Sequence, residues 1–158
     1  MKIDLTEKQY LSLLRLVYLG HFMAQSLDEE KQDPEIDGVA QEIYSKFKDF
    51  NAEDSVEYVA KQDEYFPSRP FEESMEPYVN AYDDRRFWEE LEDKLAARDL
   101  VEKSGVEKAE KMPFEERFKL IESIAQQYEE EFVENGVRNL YLKKADCCSD
   151  PSHHHHHH

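Results

Sequence analysis

The sequence predicts an all-α fold: a single compact domain of five or six helices, with an apolar first helix at its centre. Three observations carry that prediction. Helix start signals recur at Thr6, at Asp33-Pro34 and at Pro113, and the apolar residues behind each follow steps of three and four. Aromatic residues, 9 Tyr, 9 Phe and 1 Trp, are far too many for an acidic disordered chain. No internal repeat and no low-complexity linker divides the 158 residues, so residues 1–144 read as one domain followed by a tail.

The elements follow in order. Thr6 with Gln9 three positions later is a capping box, and Leu5 and Tyr10 sit where a hydrophobic staple would pack. Leu13, Leu14, Leu16, Val17, Leu19, Phe22 and Met23 are apolar around nearly the whole circumference, which predicts a covered, central helix over about 7–27. Asp33 caps a second helix with Pro34 at its first position, and Ile36, Val39, Ile43, Tyr44 and Phe47 mark its inner face. A short helix over 53–63 is expected next, ended by Pro67 and Pro70 in an extended connection. A helix then starts near residue 75, because Pro77 belongs in a first turn, and breaks or kinks near Asp83-Asp84. Phe87, Trp88, Leu91, Leu95, Leu100 and Val101 mark a strong helix over 84–103, stopped by Ser104-Gly105. Pro113 opens the last helix, whose seam is Phe114, Phe118, Ile121, Ala125, Tyr128 and Phe132, and Gly136 ends it. Val137–Leu142 and Lys2–Leu5 lean towards extended structure and could pair as a short terminal β-ribbon.

The charge excludes whole classes of function. Against 20 Lys and Arg stand 37 Asp and Glu, a net charge of −17. A surface this negative repels nucleic-acid phosphates and anionic headgroups, so neither nucleic acid nor membrane is an expected partner. The stretch from Leu11 to Leu27 is interrupted by Arg15, His21 and Gln25, too mixed to span a bilayer. No basic-then-apolar leader opens the chain, and the protein reads as cytoplasmic. His153–His158 is an expression tag, and residues 145–152 before it are native tail or cloning scar. Both cysteines, Cys147 and Cys148, lie in that tail and read as exposed, reducible thiols. Residues 1–144 hold 20 basic and 35 acidic residues, so −15 of the charge belongs to the body.

Most site chemistries lack their residues. Outside the tag the one histidine is His21, which with no body cysteine rules out zinc; it reads as a core-edge histidine hydrogen-bonded to a carboxylate. Gly20, Gly38, Gly105 and Gly136 are isolated from one another, so no phosphate-cradling loop exists. One acidic pattern competes with this bland picture. Glu72, Glu73 and Glu76 spell E-E-x-x-E, and Glu90 and Asp93 supply E-x-x-D fourteen residues after Glu76. The pair resembles the magnesium site of the all-α nucleoside triphosphate pyrophosphohydrolases, whose carboxylates on adjacent helices hold Mg²⁺ against substrate phosphates. Two facts oppose it: so acidic a chain produces such triplets by chance, and Pro77 directly follows Glu76.

Phe87 and Trp88 read as core rather than binding surface, and Arg98 and Asp99 as a partly buried polar anchor. The segment Leu5–Gly20 and the segment Tyr82–Leu100 together resemble an uncharacterised family of small, helical bacterial proteins. That resemblance implies a bacterial or phage origin and a free-standing protein, and carries no site. The expectation is a non-enzymatic protein without cofactor that binds a basic protein partner through its acidic surface. The alternative is a Mg²⁺-dependent nucleotide hydrolase using the five carboxylates.

Overall fold

A capping box opens the first helix of the computed structural model, which describes residues 1–144. Thr6 Oγ1 accepts the Gln9 N–H at 3.1 Å, and the Thr6 N–H donates to Gln9 Oε1 at 2.9 Å. Two donors that a helix end leaves bare are thus satisfied, and α1 runs Glu7–Ala24. The described residues are mostly helical, with five α-helices and one two-stranded antiparallel sheet. The segment 145–158, with Cys147, Cys148 and the terminal histidines, lies outside them. The chain packs as two compact units, one spanning Met1–Arg85 and one beginning at Arg86. The division falls inside a continuous helix, where no linker composition marks it.

In the first unit, α1 buries Tyr10 and Leu14 and leaves Leu16, Phe22 and Met23 exposed. One stripe of this helix is covered rather than the whole circumference. A 3₁₀ turn, Glu29–Lys31, follows, and the Gln32 side-chain amide donates to the carbonyls of Gln25 and Leu27, closing the end of the helix. Asp33 accepts the Glu35 N–H at 2.9 Å and starts α2, Pro34–Tyr44. Ala40 and Tyr44 of α2 join the core, whereas Ile36 and Val39 stay exposed. The Tyr10 hydroxyl donates to the Ile43 carbonyl at 2.6 Å, and its ring stacks on Phe50 at 4.3 Å. Those two contacts hold α1 to the end of α2 and to the 3₁₀ turn Phe47–Phe50 that follows it. The core is completed by Phe47, Ala52, Val56, Phe71 and Met75.

The expected helix over 53–63 is instead a hairpin. Strand β1 (Val56–Val59) pairs antiparallel with β2 (Glu64–Pro67), Val56 opposite Pro67 and Tyr58 opposite Tyr65. Asp63 turns the chain at φ 50°, a left-handed position that Asp tolerates better than most residues. Val56, Val59, Tyr58 and Tyr65 favour a pleated surface, and the two tyrosine rings pack across it, tilted, at 4.8 Å. A distant residue completes the sheet. The Gln41 side chain on α2 accepts the Tyr65 N–H and donates to the Tyr65 carbonyl, both at 2.8 Å, as a third strand would. The terminal segments form no strand. Residues 137–140 spend their backbone groups in turns, with the Arg138 N–H on Asn135 and the Leu140 N–H on Val137.

Helix α3 runs unbroken over Arg69–Ser104, so neither a start at 75 nor a break at Asp83-Asp84 exists. Ser68 Oγ accepts the Phe71 N–H and donates to the Asp54 carbonyl, and Pro70 occupies the first turn. Pro77 lies inside the helix, where the missing N–H and ring crowding cost roughly 3 kcal/mol. Good helix formers without Gly or Pro over 78–104 carry the helix onward. In the second unit, Gly105 at φ 83° ends α3, and α4 (Val106–Lys111) buries Ala109. Helix α5 runs Phe114–Asn135 behind Pro113 and stops at Gly136, φ 58°. Phe132 of its seam is buried, but Phe114 and Phe118 are exposed and stack on each other. Among the described residues no helix is long and apolar enough to cross a membrane.

Candidate functional site

Two helix faces in the first unit meet incompletely. On α1, Leu19, Phe22 and Met23 are spaced three and four apart; on α3, Tyr78, Val79 and Tyr82 are likewise on neighbouring turns. Between these stripes runs a groove of about 780 Å³. Phe22 is 47% exposed, Met23 57%, Tyr78 57% and Tyr82 43%, so its walls are apolar and wet. The Tyr18 ring, 6.2 Å from that of Phe22, supports one wall from below. Pro77, Asp83 and Arg85 also line the groove.

The surroundings are acidic. The first unit, residues 1–85, carries 20 Asp and Glu against 9 Lys and Arg, a net charge of −11. Asp28, Glu29 and Glu30 lie four to six residues beyond the end of α1, and Glu76, Asp83 and Asp84 are exposed on α3. Lys31 pairs with Asp28 at 3.8 Å, an exposed contact of little energetic weight. The arrangement offers apolar burial flanked by carboxylates.

The five carboxylates of the sequence pattern are not brought together. A two-helix metal site requires E-E-x-x-E and E-x-x-D on separate helices, but α3 continues through residues 83 and 84 and carries both. Glu73 pairs with Arg69 at 3.1 Å; Glu90 pairs with Arg86 and reaches Lys94 at 4.0 Å. Glu72, Glu76 and Asp93 add no common focus. Among the described residues no group of three or more His, Cys, Asp or Glu side chains could hold a metal ion.

His21 meets its expectation: Nε2 lies 2.6 Å from Asp37 Oδ1, joining α1 to α2. Arg98 and Asp99 do form an anchor, and Tyr128 completes it. The Tyr128 hydroxyl donates to Asp99 Oδ2, while the Arg98 guanidinium reaches Asp99 through Nε at 3.0 Å and the Tyr128 oxygen at 3.1 Å. Burial alone would raise the Asp99 pKa, but the hydrogen bonds from Tyr128 and Arg98 outweigh it and hold the carboxyl below its usual range. The same hydrogen bond pushes the Tyr128 hydroxyl up. This cluster ties α3 to α5 within the second unit. Trp88 packs against Phe132 at 5.4 Å, whereas Phe87, expected in the core, is 52% exposed with its edge to Trp88.

Tyr78 and Tyr82 escape a reading of the sequence that looks for catalytic groups. Their i, i+4 spacing next to Val79 was the available signal, since two aromatics so placed form one helix face. Compared with known protein families, curated proteins and solved structures, the chain finds no match.

Proposed function

We propose that the protein acts without catalysis or cofactor, by binding another protein, and that the groove between α1 and α3 receives a basic amphipathic segment. The observation that carries this reading is an exposed apolar groove, walled by Phe22, Met23, Tyr78 and Tyr82, within a unit of net charge −11. Burying apolar surface yields about 25 cal/mol per Å², and helix-in-groove recognition uses anchors spaced as these walls are. The carboxylates around the groove favour lysines and arginines on the outer face of the ligand and steer its approach. Acidic segments, nucleic acids and anionic membranes are repelled by the same field.

The reading is tested with a synthetic amphipathic helix of Leu and Lys and its Leu–Glu counterpart, titrated by calorimetry. The Leu–Lys peptide binds and the Leu–Glu peptide does not. Raising salt from about 50 to about 300 mM weakens binding roughly tenfold, because the screening length falls below 10 Å. Equal binding of both peptides, or no binding of either, refutes the proposal.

A further inference from the structure

A second concavity in the first unit, of about 550 Å³, has a different chemistry. It is enclosed by α1, α2, β2 and the first turn of α3. Its aromatic walls include Tyr18, Tyr44 and Phe66, and its carboxylates include Glu64 and Glu72. No Lys or Arg lines it. Neighbouring polar groups are already engaged: Asp37 with His21, and Gln41 with the Tyr65 backbone. These contacts pin the wall and leave the pocket its shape. Glu64 and Glu72 have no ion pair among the described residues.

Tyr44, which lines the same pocket, points independently to a polar ligand. The residue is 2% exposed, and among the described residues its buried hydroxyl has no hydrogen-bond partner. Buried hydroxyls are almost always paired, since an unmade hydrogen bond costs the full desolvation of the group. Burial, followed by the nearby Tyr18, Glu72 and Tyr10, pushes its pKa up to about 12, so the hydroxyl stays neutral and free to donate or accept. Glu72 raises the Tyr18 hydroxyl as well, after burial, so this carboxylate acts on both phenols.

We propose that this pocket binds an organic cation, an alkylammonium or guanidinium group, held by the faces of Tyr18 and Phe66, the carboxylates of Glu64 and Glu72, and the hydroxyl of Tyr44. Aromatic faces attract a cation electrostatically, and carboxylates with no cation of their own complete its neutralisation. The unpaired hydroxyl accepts one of its N–H groups. An anion finds no donor cluster here and meets two negative charges.

The inference stands apart from the groove, because Met23 does not line this pocket. Phe22 lines both, so the cation is either a free small molecule or a Lys or Arg side chain of the segment in the groove. The test titrates the protein with n-butylammonium and with neutral n-pentanol, following the aromatic ring resonances of Tyr18 and Phe66 by NMR. The ammonium produces saturable shifts and the alcohol does not. Glu72→Gln weakens ammonium binding about tenfold, the scale of a lost charge-assisted contact. Tyr44→Phe removes an unpaired group, so the protein keeps its melting temperature yet binds several-fold more weakly. Met23→Glu leaves the ammonium titration unchanged even where it destroys peptide binding. Displacement of the ammonium by the Leu–Lys peptide assigns the pocket to a side chain of the docked segment, and its retention assigns it to a free cation. Equal response to alcohol and ammonium, no saturable response, or unchanged affinity in Glu72→Gln overturns the proposal.

Discussion

The two units solve the problem of burial differently. The first gathers Tyr10, Leu14, Tyr44, Phe47, Val56, Phe71 and Met75 from three α-helices, a 3₁₀ turn and a hairpin around one core. Among its described residues the second buries Ala96, Leu100, Ala109 and Phe132, of which two are alanines with little surface to contribute. Phe87, Phe114, Phe118 and Val133 remain exposed, and Trp88, Leu91 and Leu95 are half-buried. Apolar content alone therefore does not decide where a core forms. Convergence of several elements does, and the second unit substitutes one aromatic stack and one polar anchor for it. Regions with few buried apolar contacts open at lower free energy, so the second unit is the less stable of the two.

Phe132→Ala strikes that unit hardest. Losing its buried aromatic costs about 4 kcal/mol, in the middle of the range for such truncations. Amides of α5 and of the C-terminal part of α3 then exchange rapidly, while those of Tyr10 and Leu14 stay protected. Simultaneous loss of protection in both units breaks the comparison. Leu14→Ala, at a position with 0% exposure, costs about 3 kcal/mol and lowers the denaturant midpoint of the first unit.

Alkali probes the same asymmetry. The hydroxyls of Tyr10 and Tyr44 are raised by burial from 10.0 to about 12. The unfolded chain ionises first, so their contribution is intact below pH 10 and is lost as pH rises from 10 to about 12. Each withdraws on the order of 2 kcal/mol, at 1.36 kcal/mol per pKa unit. Absorbance titration should show two tyrosines ionising together with unfolding of the first unit; early, independent ionisation contradicts their burial. The smallest effect belongs to the anchor. Tyr128→Phe costs about 1 kcal/mol, the net worth of one hydrogen bond. Asp99 is held below its usual pKa, so its contribution is present above the unfolded carboxyl pKa and is lost as pH falls. Tyr128→Phe flattens that acid limb, measured by urea midpoints against pH.

What a reader of the sequence can recover divides along the reach of the forces involved. Thr6 with Gln9, Asp33 with Pro34, Pro113 and Gly136 act within one helical turn, and each does what its local chemistry requires. The hairpin at 56–67 is hidden because Gln41, more than twenty residues away, closes its edge. Pro77 misleads for the opposite reason: its local penalty is real, and the rest of a 36-residue helix outweighs it. That continuous helix also dissolves the apparent two-helix metal pattern. The groove is half legible. Helical spacing reveals the stripe of Phe22 and Met23 and that of Tyr78 and Tyr82, but spacing is the same for a filled core and an unfilled groove.

The central claim is that apolar walls, and not acidity alone, select the partner. Met23→Glu separates the two, because it spoils a wall while making the protein one charge more negative. Titrated with the Leu–Lys peptide at about 50 mM salt, Met23→Glu should bind at least tenfold more weakly than the unaltered protein, as expected for burying a carboxylate against an apolar anchor. Unchanged or tighter binding would show that charge alone attracts the peptide and would contradict the account.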